Sequence, residues 1–343
     1  MMRRFIRVFQ RTDMLLVGLC LLVSALFIYR FNSFEAHAII EAPPAASAAE
    51  EAPRPTTPRD KVRSEGPVRF LMFNAQNYFV EEDTKRSKHE RRIKTIPERE
   101  KVAEVVASVA PEVVGLVEIG GPAALDDLAK RLAARGLNYY HRKVLTRWGE
   151  DRALAVLSRY PIVEDHSIAD CKLLGQTGRK MLRGILDVIV QVGEGKSERR
   201  FRIMGVHLKS RVSDDPAAAD AQRAREAHTL AARVQQILRS NPGELLVVYG
   251  DWNDGPAEPT LAEVTRGATR ATKLRRLRPE DANGESWTIY YKAGDEYNTF
   301  DQIYVSDALF KRISKGKGEQ GIISEKPGKA RASDHRAVWC DMF

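Results

Sequence analysis

Length, composition and charge bound what this chain can be. It has 343 residues, of which 29% are charged and 43% hydrophobic, a globular balance with core material for one large domain or two ordinary ones. The formal net charge is +9, and most of this excess lies after Asp60, which favours anionic partners such as nucleic acid, phospholipid headgroups or phosphate esters. Three cysteines exclude a disulfide framework, and without a CxxC motif or a Cys/His cluster a structural zinc site is not expected. Whether Cys171 and Cys340 pair stays open.

The first elements along the chain are a basic N-terminus, an apolar segment and a tether. Residues 1–13 carry four arginines, and residues 14–31 follow as a short apolar run. This run predicts a membrane anchor, although a spanning helix needs about 20 apolar residues, and a signal peptide cleaved near residues 36–38 is the alternative. The arginines favour a cytoplasmic N-terminus, so we expect a single-pass membrane protein with its body on the extracytoplasmic side. Residues 32–66 are rich in Ala and Pro and predict an extended tether.

Residues 67–343 form the predicted folded body. Helices are predicted at 97–109, where Pro97 is followed by acidic residues, and at about 216–239. Short apolar runs recur around them and predict strands: VRFLMF, VVGLVEI, ALAVLS, ILDVIVQV, FRIMGVHL, LLVVYG, FDQIYV and AVWCDM. Many strands with few helices predict a two-layered sheet body flanked by helices.

The segment LLVVYGDWND, residues 245–254, has the most informative pattern. Its apolar run predicts a strand buried on both faces, and Asp251, Asn253 and Asp254 follow at once. On an extended backbone, Asp251 and Asn253 would share one side, which suits a hard cation, a phosphate or an attacking water. An Asx-rich turn without chemical function is the alternative.

Five other predicted strands carry polar groups at or near one end. These groups are Asn74 and Gln76; Glu118; His207 and Lys209; Asp301; and Ser333, Asp334 and His335. Each one alone is explained by a turn, a solvated strand end or a buried histidine. Together, carboxylates with an Asn supply oxygen ligands for Mg²⁺, and two histidines beside carboxylates supply acid/base groups near neutral pH.

The order of these motifs resembles a known superfamily. FNAQN, PEVVGLVEI, ALAVLSRYPI, GVHLKSR, VVYGDWND, FDQIYVS and SDHRAVW occur in the order seen in the endonuclease/exonuclease/phosphatase superfamily, over roughly residues 68–343. That superfamily includes pancreatic-type deoxyribonucleases, abasic-site endonucleases, neutral sphingomyelinases and inositol polyphosphate phosphatases. The resemblance implies an α/β (α+β) fold, a four-layered α/β/β/α sandwich of two packed mixed β-sheets flanked by helices.

The resemblance also implies a metal site. Glu118 matches the main metal carboxylate, with Asn74 beside it and Asp334 completing the acidic site. Gln76 stands where some members have an acidic ligand, so a second ligand on the first strand is in doubt. The implied cofactor is Mg²⁺, with Mn²⁺ or Ca²⁺ as alternatives.

The resemblance also implies catalytic roles for the residues of this chain that match the catalytic positions of the superfamily. Asp251 resembles the residue that orients or deprotonates the attacking water, and Asn253 resembles a donor to the scissile phosphate. His335 resembles the catalytic histidine, and Asp301 the carboxylate that orients it.

A second histidine distinguishes between branches of this superfamily. His207 matches a histidine of deoxyribonuclease-like and sphingomyelinase-like members, which argues against the abasic-site branch. Asp151 is the candidate partner of His207, whereas no role transfers to Asp254.

The predicted function is therefore metal-assisted, in-line attack of water on a phosphodiester by a membrane-tethered monomer, with nucleic acid as the favoured substrate. The basic runs 85–94 and 266–278 could follow a phosphate backbone, although such runs are usually solvated loops. One alternative is a sphingomyelinase-type or phosphoinositide-type lipid phosphoesterase, which predicts exposed apolar groups near the site, with Trp148 and Trp252 as candidates. A non-catalytic, membrane-tethered phosphate-binding module is the other.

Overall fold

The structure, a computed structural model, describes residues 66–84, 92–147, 149–267, 269–291, 294–324 and 331–343. In chain order the elements are β1 (Val68–Tyr78), α1 (Glu81–Thr84), α2 (Ile96–Ala107), β2 (Val113–Ile119), α3 (Pro122–Ala133), β3 (His141–Arg147), β4 (Glu150–Ser158), β5 (Ile162–Asp165), β6 (Leu186–Val192), β7 (Arg199–His207), α4 (Pro216–Ser240), β8 (Leu245–Asp251), α5 (Pro259–Arg266), β9 (Leu274–Arg276), β10 (Ile289–Tyr291), β11 (Glu296–Asn298), β12 (Asp301–Ser306), α6 (Asp307–Gly316), β13 (Gln320–Ile322) and β14 (Val338–Met342), with 3₁₀ turns at Gly195–Ser197 and Arg270–Thr272.

Two six-stranded mixed sheets form the body. The first sheet has the order β13-β14-β1-β2-β4-β3, and the second has the order β5-β6-β7-β8-β12-β9. Strands β1 and β2 run parallel, as do β7 and β8, and the other neighbours within these two sheets are antiparallel. A separate two-stranded hairpin joins β10 and β11.

The two sheets pack face to face around Tyr249 of β8. Its ring meets Phe70 of β1 edge-on, with 5.3 Å between ring centroids, and its hydroxyl donates to the Ala155 carbonyl of β4 at 2.9 Å. A Cβ on Gly115 of β2 would lie 2.5 Å from the Tyr249 ring, so the close approach of the sheets requires glycine there. This interior apolar cluster spans both sheets.

Helices cover the outer face of each sheet. Side chains of α2 and α3 pack on the first sheet, and side chains of α4 and α5 pack on the second. Central strands are therefore buried on both faces, which explains their nearly continuous apolar sequences. The predicted four-layered α/β/β/α sandwich is confirmed, and the helices predicted at 97–109 and 216–239 correspond to α2 and α4.

Several predictions concern residues that the structure does not describe. They include the basic N-terminus, the anchor at 14–31, almost all of the tether, residues 85–91 of a basic run and Trp148. The proposed divisions of the chain at residues 13, 31 and 66 stay predictions. Both remaining cysteines, Cys171 and Cys340, are buried and free.

The predicted localisation is corrected. Across the described parts of the chain, no helix is long and apolar enough to cross a bilayer. The longest of them, α4, has 25 residues but carries several Arg, Asp and Glu side chains, which oppose insertion into hydrocarbon. This finding contradicts the prediction of a single-pass membrane protein with an extracytoplasmic body.

The packing at Gly115 generates a stability prediction. Replacing Gly115 by Ala forces a Cβ into the Tyr249 and Phe70 rings, and overpacking of this kind costs about 1–3 kcal/mol. We expect Gly115→Ala to lower the free energy of unfolding by about that amount in urea titrations followed by circular dichroism.

Gly243→Ala is the matched control, because the nearest atom to an added Cβ there is 3.4 Å away. Equal unfolding midpoints for Gly115→Ala and the wild-type chain would contradict the inferred contact between the sheets.

Candidate functional site

Strand register places three of the predicted site residues in one row of the second sheet. His207 at the end of β7 pairs with Asp251 at the end of β8, and Asp251 pairs with Asp301 at the start of β12. Directly paired residues project to the same face of a sheet. The two carboxylates and the imidazole therefore lie side by side, although they are far apart in sequence.

Asn74 of β1 connects this row to the first sheet. It is fully buried, and its Nδ2 atom donates to Asp251 Oδ2 at 3.0 Å and lies 3.4 Å from His335 Nε2. Its backbone carbonyl accepts the Ser333 hydroxyl at 2.7 Å. One amide side chain thus joins β1, β8 and the segment that precedes β14.

His335 and Asp301 form a hydrogen-bonded pair. His335 Nδ1 lies 2.7 Å from Asp301 Oδ2, and the Asp301 backbone N–H donates to Thr288 Oγ1 at 3.0 Å. Burial disfavours the charged imidazolium, but the carboxylates of Asp301, Asp251 and Asp334 outweigh it and raise the pKa of His335. Asp301 therefore holds the His335 ring in place, and the surrounding carboxylates favour its protonated form.

Asp251 lies at the centre of the site, with His335 Nε2 3.9 Å and His207 Nε2 3.6 Å from its Oδ2 atom. Burial raises the pKa of Asp251, and the negative charges of Asp301 and Glu118 add to this shift while His335 opposes it. A carboxyl group with a raised pKa is a suitable proton acceptor near neutral pH.

His207 is buried and has a different protonation state. Burial lowers its pKa well below the ordinary value, and the charges of Arg183, Arg152 and His335 lower it further. Its Nδ1 atom has no hydrogen-bond partner within the described residues, so the pairing with Asp151 stays a prediction. We therefore assign His207 as a neutral imidazole beside two carboxylates.

Glu118, the penultimate residue of β2, has a left-handed backbone conformation with φ of 61°. Asn77 N–H donates to its Oε2 atom at 3.0 Å, and its Oε1 atom lies 3.8 Å from His207 Nε2. Gln76 and Asn77 also have positive φ values. Backbone strain of this kind costs of order 1–3 kcal/mol per residue and is concentrated at functional sites.

Gln76 stands at the position where some family members have an acidic metal ligand. Its side chain orients the neighbouring Asp334. The Asp334 backbone N–H donates to Gln76 Oε1 at 3.1 Å, while Gln76 N–H donates to Asn74 Oδ1 at 3.0 Å. Asp334 is the most exposed carboxylate of the site, and its Oδ1 atom lies 3.8 Å from His335 Nε2.

Glu118, Asp334 and Asn74 form the candidate donor set for a metal ion. No group of three or more His, Cys, Asp or Glu side chains with metal-binding geometry occurs in the described residues. A hard cation such as Mg²⁺ needs only one or two carboxylates, since water and substrate oxygens complete its shell. The carboxylates of Glu118 and Asp334 with the amide oxygen of Asn74 are chemically suited to such a cation.

The GDWND motif ends in a turn and not in an extended strand. Asn253 has φ of 52°, its N–H donates to Asp251 Oδ1 at 2.9 Å, and its Nδ2 atom donates to the Leu208 carbonyl at 3.0 Å. Trp252 is fully buried, which excludes it as a membrane contact. Asp254, assigned no role from the sequence, accepts a hydrogen bond from Arg211 at 2.6 Å and lies 3.1 Å from Arg223.

Within the basic run 266–278, Leu274 lies away from the site, whereas Leu277 donates its N–H to the Ile303 carbonyl at 3.0 Å, two residues along β12 from Asp301. Leu274 of β9 pairs with Ser306, at the opposite end of β12 from Asp301, roughly 17 Å along the strand at about 3.4 Å per residue. Arg275 in this run is paired with Asp307 at 3.1 Å. Of the other run, residues 92–94 are described, and Lys94 is only 1% exposed.

Sequence motifs did not reveal three residues near the site, Arg152, Arg183 and Thr288, whereas Lys94 belongs to the basic run 85–94. Burial lowers the pKa of Lys94, while the carboxylates Glu98, Asp334 and Glu118 oppose this shift. Thr288 is a buried acceptor for Asp301. The only signal of Arg152, Arg183 and Thr288 in the sequence is charge or polarity outside any motif.

Comparisons with known proteins identify the family and the fold. The model of an endonuclease/exonuclease/phosphatase family matches residues 74–323, whereas no curated protein matches the sequence. Among solved structures, the human Nocturnin catalytic domain with bound sulfate is 17% identical with a TM-score of 0.56, covering 82% of this chain and 95% of that one. Sphingomyelinase C from Streptomyces griseocarneus is 18% identical with a TM-score of 0.54, covering 81% and 99%.

An endonuclease/exonuclease/phosphatase protein from Bacteroides vulgatus is 15% identical with a TM-score of 0.56, covering 81% of this chain and 99% of its own. At these identities the solved structures support the fold alone, whereas the family model spans well over half of the chain. The chain belongs to the endonuclease/exonuclease/phosphatase family.

Proposed function

We propose that this chain is a divalent-metal-dependent phosphodiester hydrolase of the nuclease type. Members of the family are phosphoester hydrolases and are generally dependent on divalent metal ions. The observation that carries the proposal is the buried network in which Asn74, Asp251, His335 and Asp301 are joined by contacts of 2.7–3.9 Å.

The protonation states suggest how the residues divide the reaction. Asp251, with its raised pKa, would accept a proton from the attacking water. Asn74 holds the Asp251 carboxylate through its Nδ2 atom. His335, held as a cation by Asp301, would stabilise the negative charge that develops on the phosphate.

Two further groups complete this mechanism. His207 is neutral, so its Nε2 atom could accept the proton from Asp251, 3.6 Å away, and pass it to the leaving oxygen. A divalent cation held by Glu118, Asn74 and Asp334 would offset charge on the phosphate oxygens.

A lipid phosphodiesterase is the second candidate, and one observation favours it. The hairpin of β10 and β11 lies beside His335, since Ile289 forms a β-bridge with that residue. It exposes Tyr291 and Tyr297, which are 50% and 59% accessible, and Tyr297 packs between Trp287 and Tyr290 at centroid distances of 5.1 and 4.7 Å. Aromatic side chains of this kind suit the interface of a lipid bilayer.

Activity assays separate these candidates. We expect the full chain to cleave plasmid DNA or RNA in the presence of Mg²⁺ more efficiently than sphingomyelin or phosphoinositide vesicles, and to lose activity in EDTA. Mn²⁺ and Ca²⁺ are compared under the same conditions. Preferred hydrolysis of a lipid would favour the second candidate, and EDTA-resistant cleavage would contradict metal dependence.

Substitution of the central residues tests the assignments. Glu118→Gln and His335→Ala should each lower kcat by about 10²–10⁴-fold, because each removes a charge that acts on the transition state. Thermal unfolding is measured in parallel to show that the variants remain folded.

His228→Ala is the matched control for these variants, since His228 is an exposed histidine on α4 that contacts Glu263. Near-normal kcat in both site variants would favour the non-catalytic phosphate-binding module.

The pKa shifts predict an unusual pH profile. Activity requires deprotonated Asp251, whose pKa is raised, so the acid limb of kcat/KM should lie above the ordinary Asp value of about 3.9. It also requires protonated His335, whose pKa is raised, so the basic limb should lie above the ordinary His value of about 6.5.

Asp301→Asn removes the carboxylate that holds His335 protonated, so the basic limb should move to lower pH in this variant. Profiles of kcat/KM against pH check both expectations. A basic limb that does not move in Asp301→Asn would refute the role of this pair.

A further inference from the structure

One glutamate of α4 is completely buried and accepts hydrogen bonds from two separate loops. Glu226 is 0% exposed, its Oε2 atom accepts from the Lys209 backbone N–H at 2.8 Å, and its Oε1 atom accepts from the Leu182 backbone N–H at 2.9 Å. Gln222, one turn earlier on α4, donates to Oε1 at 3.1 Å. Burying a carboxylate is costly unless hydrogen bonds compensate it, and here three N–H groups do so.

These three donors require a side chain that only accepts hydrogen bonds. An ionised carboxylate has two acceptor oxygens and no hydrogen to donate, so it satisfies all three N–H groups. A glutamine would turn its NH₂ group toward one of the two backbone N–H groups and leave that donor unpaired. Burial raises the pKa of Glu226, whereas the three N–H groups and the charge of Arg183 oppose this shift. Position 226 is therefore specific for a carboxylate.

The same turn of α4 also holds the carbonyl group of Lys209. Arg223 is 4% exposed, and its Nη1 atom donates to the Lys209 carbonyl at 3.2 Å while its Nη2 atom donates to Asp220 at 2.6 Å. Both backbone polar groups of Lys209 are thus bound by α4 side chains, the N–H by Glu226 and the carbonyl by Arg223. This residue is fixed against the helix before any substrate binds.

The peptide unit that Glu226 holds leads directly into the site. His207 ends β7, and the N–H of the next residue, Leu208, donates to the Asp251 carbonyl at 3.1 Å. The Leu208 carbonyl accepts from Asn253 Nδ2 at 3.0 Å. This carbonyl and the Lys209 N–H belong to one planar peptide unit, so a shift at one end of the unit moves the other.

The hydrogen bond to Leu208 determines how Asn253 presents its amide group. A side-chain amide has two N–H hydrogens in one plane, so binding one of them to the Leu208 carbonyl fixes the direction of the other. The route from α4 to the site therefore runs from the Glu226 carboxylate through a rigid peptide unit to the Asn253 amide. Every contact along this route is between buried atoms or backbone groups.

We propose that Glu226 is a positioning residue of the site, which acts through the Leu208–Lys209 peptide unit to fix the side-chain amide of Asn253 beside Asp251. This inference rests on the proposed function, with Asn253 as a donor to the scissile phosphate. Glu226 itself touches no reacting atom, so its effect on the reaction must pass through Asn253.

A double-mutant cycle tests this route in the full chain with Mg²⁺, on whichever of plasmid DNA, RNA, sphingomyelin and phosphoinositide the wild type cleaves. Glu226→Gln should lower kcat by about ten- to a hundredfold and leave KM within about threefold, because a misplaced donor weakens contacts in the transition state. In the Asn253→Ala background the same substitution should lower kcat by less than about threefold, because the route is already lost.

Thr229→Val is the matched control, since Thr229 lies on α4 and is 1% exposed. Its Oγ1 atom accepts the Leu174 N–H at 3.0 Å, so this variant also leaves a buried backbone N–H without an acceptor. Both variants should lower the midpoint of thermal unfolding, but Thr229→Val should keep the wild-type kcat. An unchanged kcat in Glu226→Gln would overturn the proposal, and so would a loss of kcat that is equally large with and without Asn253. If Glu226→Gln does not fold, Glu226→Asp takes its place in the cycle, with the same outcomes.

A measurement without substrate separates failure of this inference from failure of the proposed function. The NMR signal of the Asn253 side-chain amide is assigned from its loss in Asn253→Ala, and its hydrogen exchange is followed in the full chain. Exchange that is about tenfold faster in Glu226→Gln, but not in Thr229→Val, would support the positioning role even in a chain that cleaves no phosphodiester. Equal exchange in the wild type and Glu226→Gln would overturn it.

Discussion

Two buried aspartates in direct register, Asp251 and Asp301, are the constraint on which the site depends. Neighbouring carboxylates removed from water repel each other, and such an arrangement persists only when cations and N–H groups compensate it. His335 supplies the cation, with its two ring nitrogens 2.7 and 3.9 Å from carboxylate oxygens of the pair. Asn74 and Asn253 supply the N–H groups that hold the Asp251 carboxylate, and Thr288 Oγ1 accepts the backbone N–H of Asp301.

The packing of the two sheets makes this compensation possible. Asp251 and Asp301 belong to the second sheet, whereas Asn74 belongs to the first, so the hydrogen bond from Asn74 to Asp251 crosses between the sheets. Tyr249 precedes Asp251 by two residues and fills the space between Gly115 and Phe70. The same contact that stabilises the core therefore sets the distance at which the two halves of the site meet.

An aromatic surface and a positively charged one lie on opposite sides of the Asp251–Asp301 pair. On the side of His335 lies the hairpin with Trp287, Tyr290 and Tyr297, which offers rings to a planar or apolar group. On the side of His207 lie Arg183 and Arg152, which offer positive charge to an anion.

The sequence by itself indicated which types of catalytic and metal-binding side chains the site contains, and it located most of the central strands. Strands such as β2 and β8 are covered on both faces, so their continuous apolar runs can be recognised from the sequence. The polar residues at the ends of these strands can then be identified as well. Short or polar strands such as β9 and β11 carry no such pattern, and their pairing is decided by neighbours distant in sequence. Only the tertiary structure showed that Leu274 of the basic run lies away from the site and that Asn253 adopts a turn conformation. Local sequence encodes burial and turns, whereas strand register and the approach of two sheets arise from contacts between residues far apart in the chain.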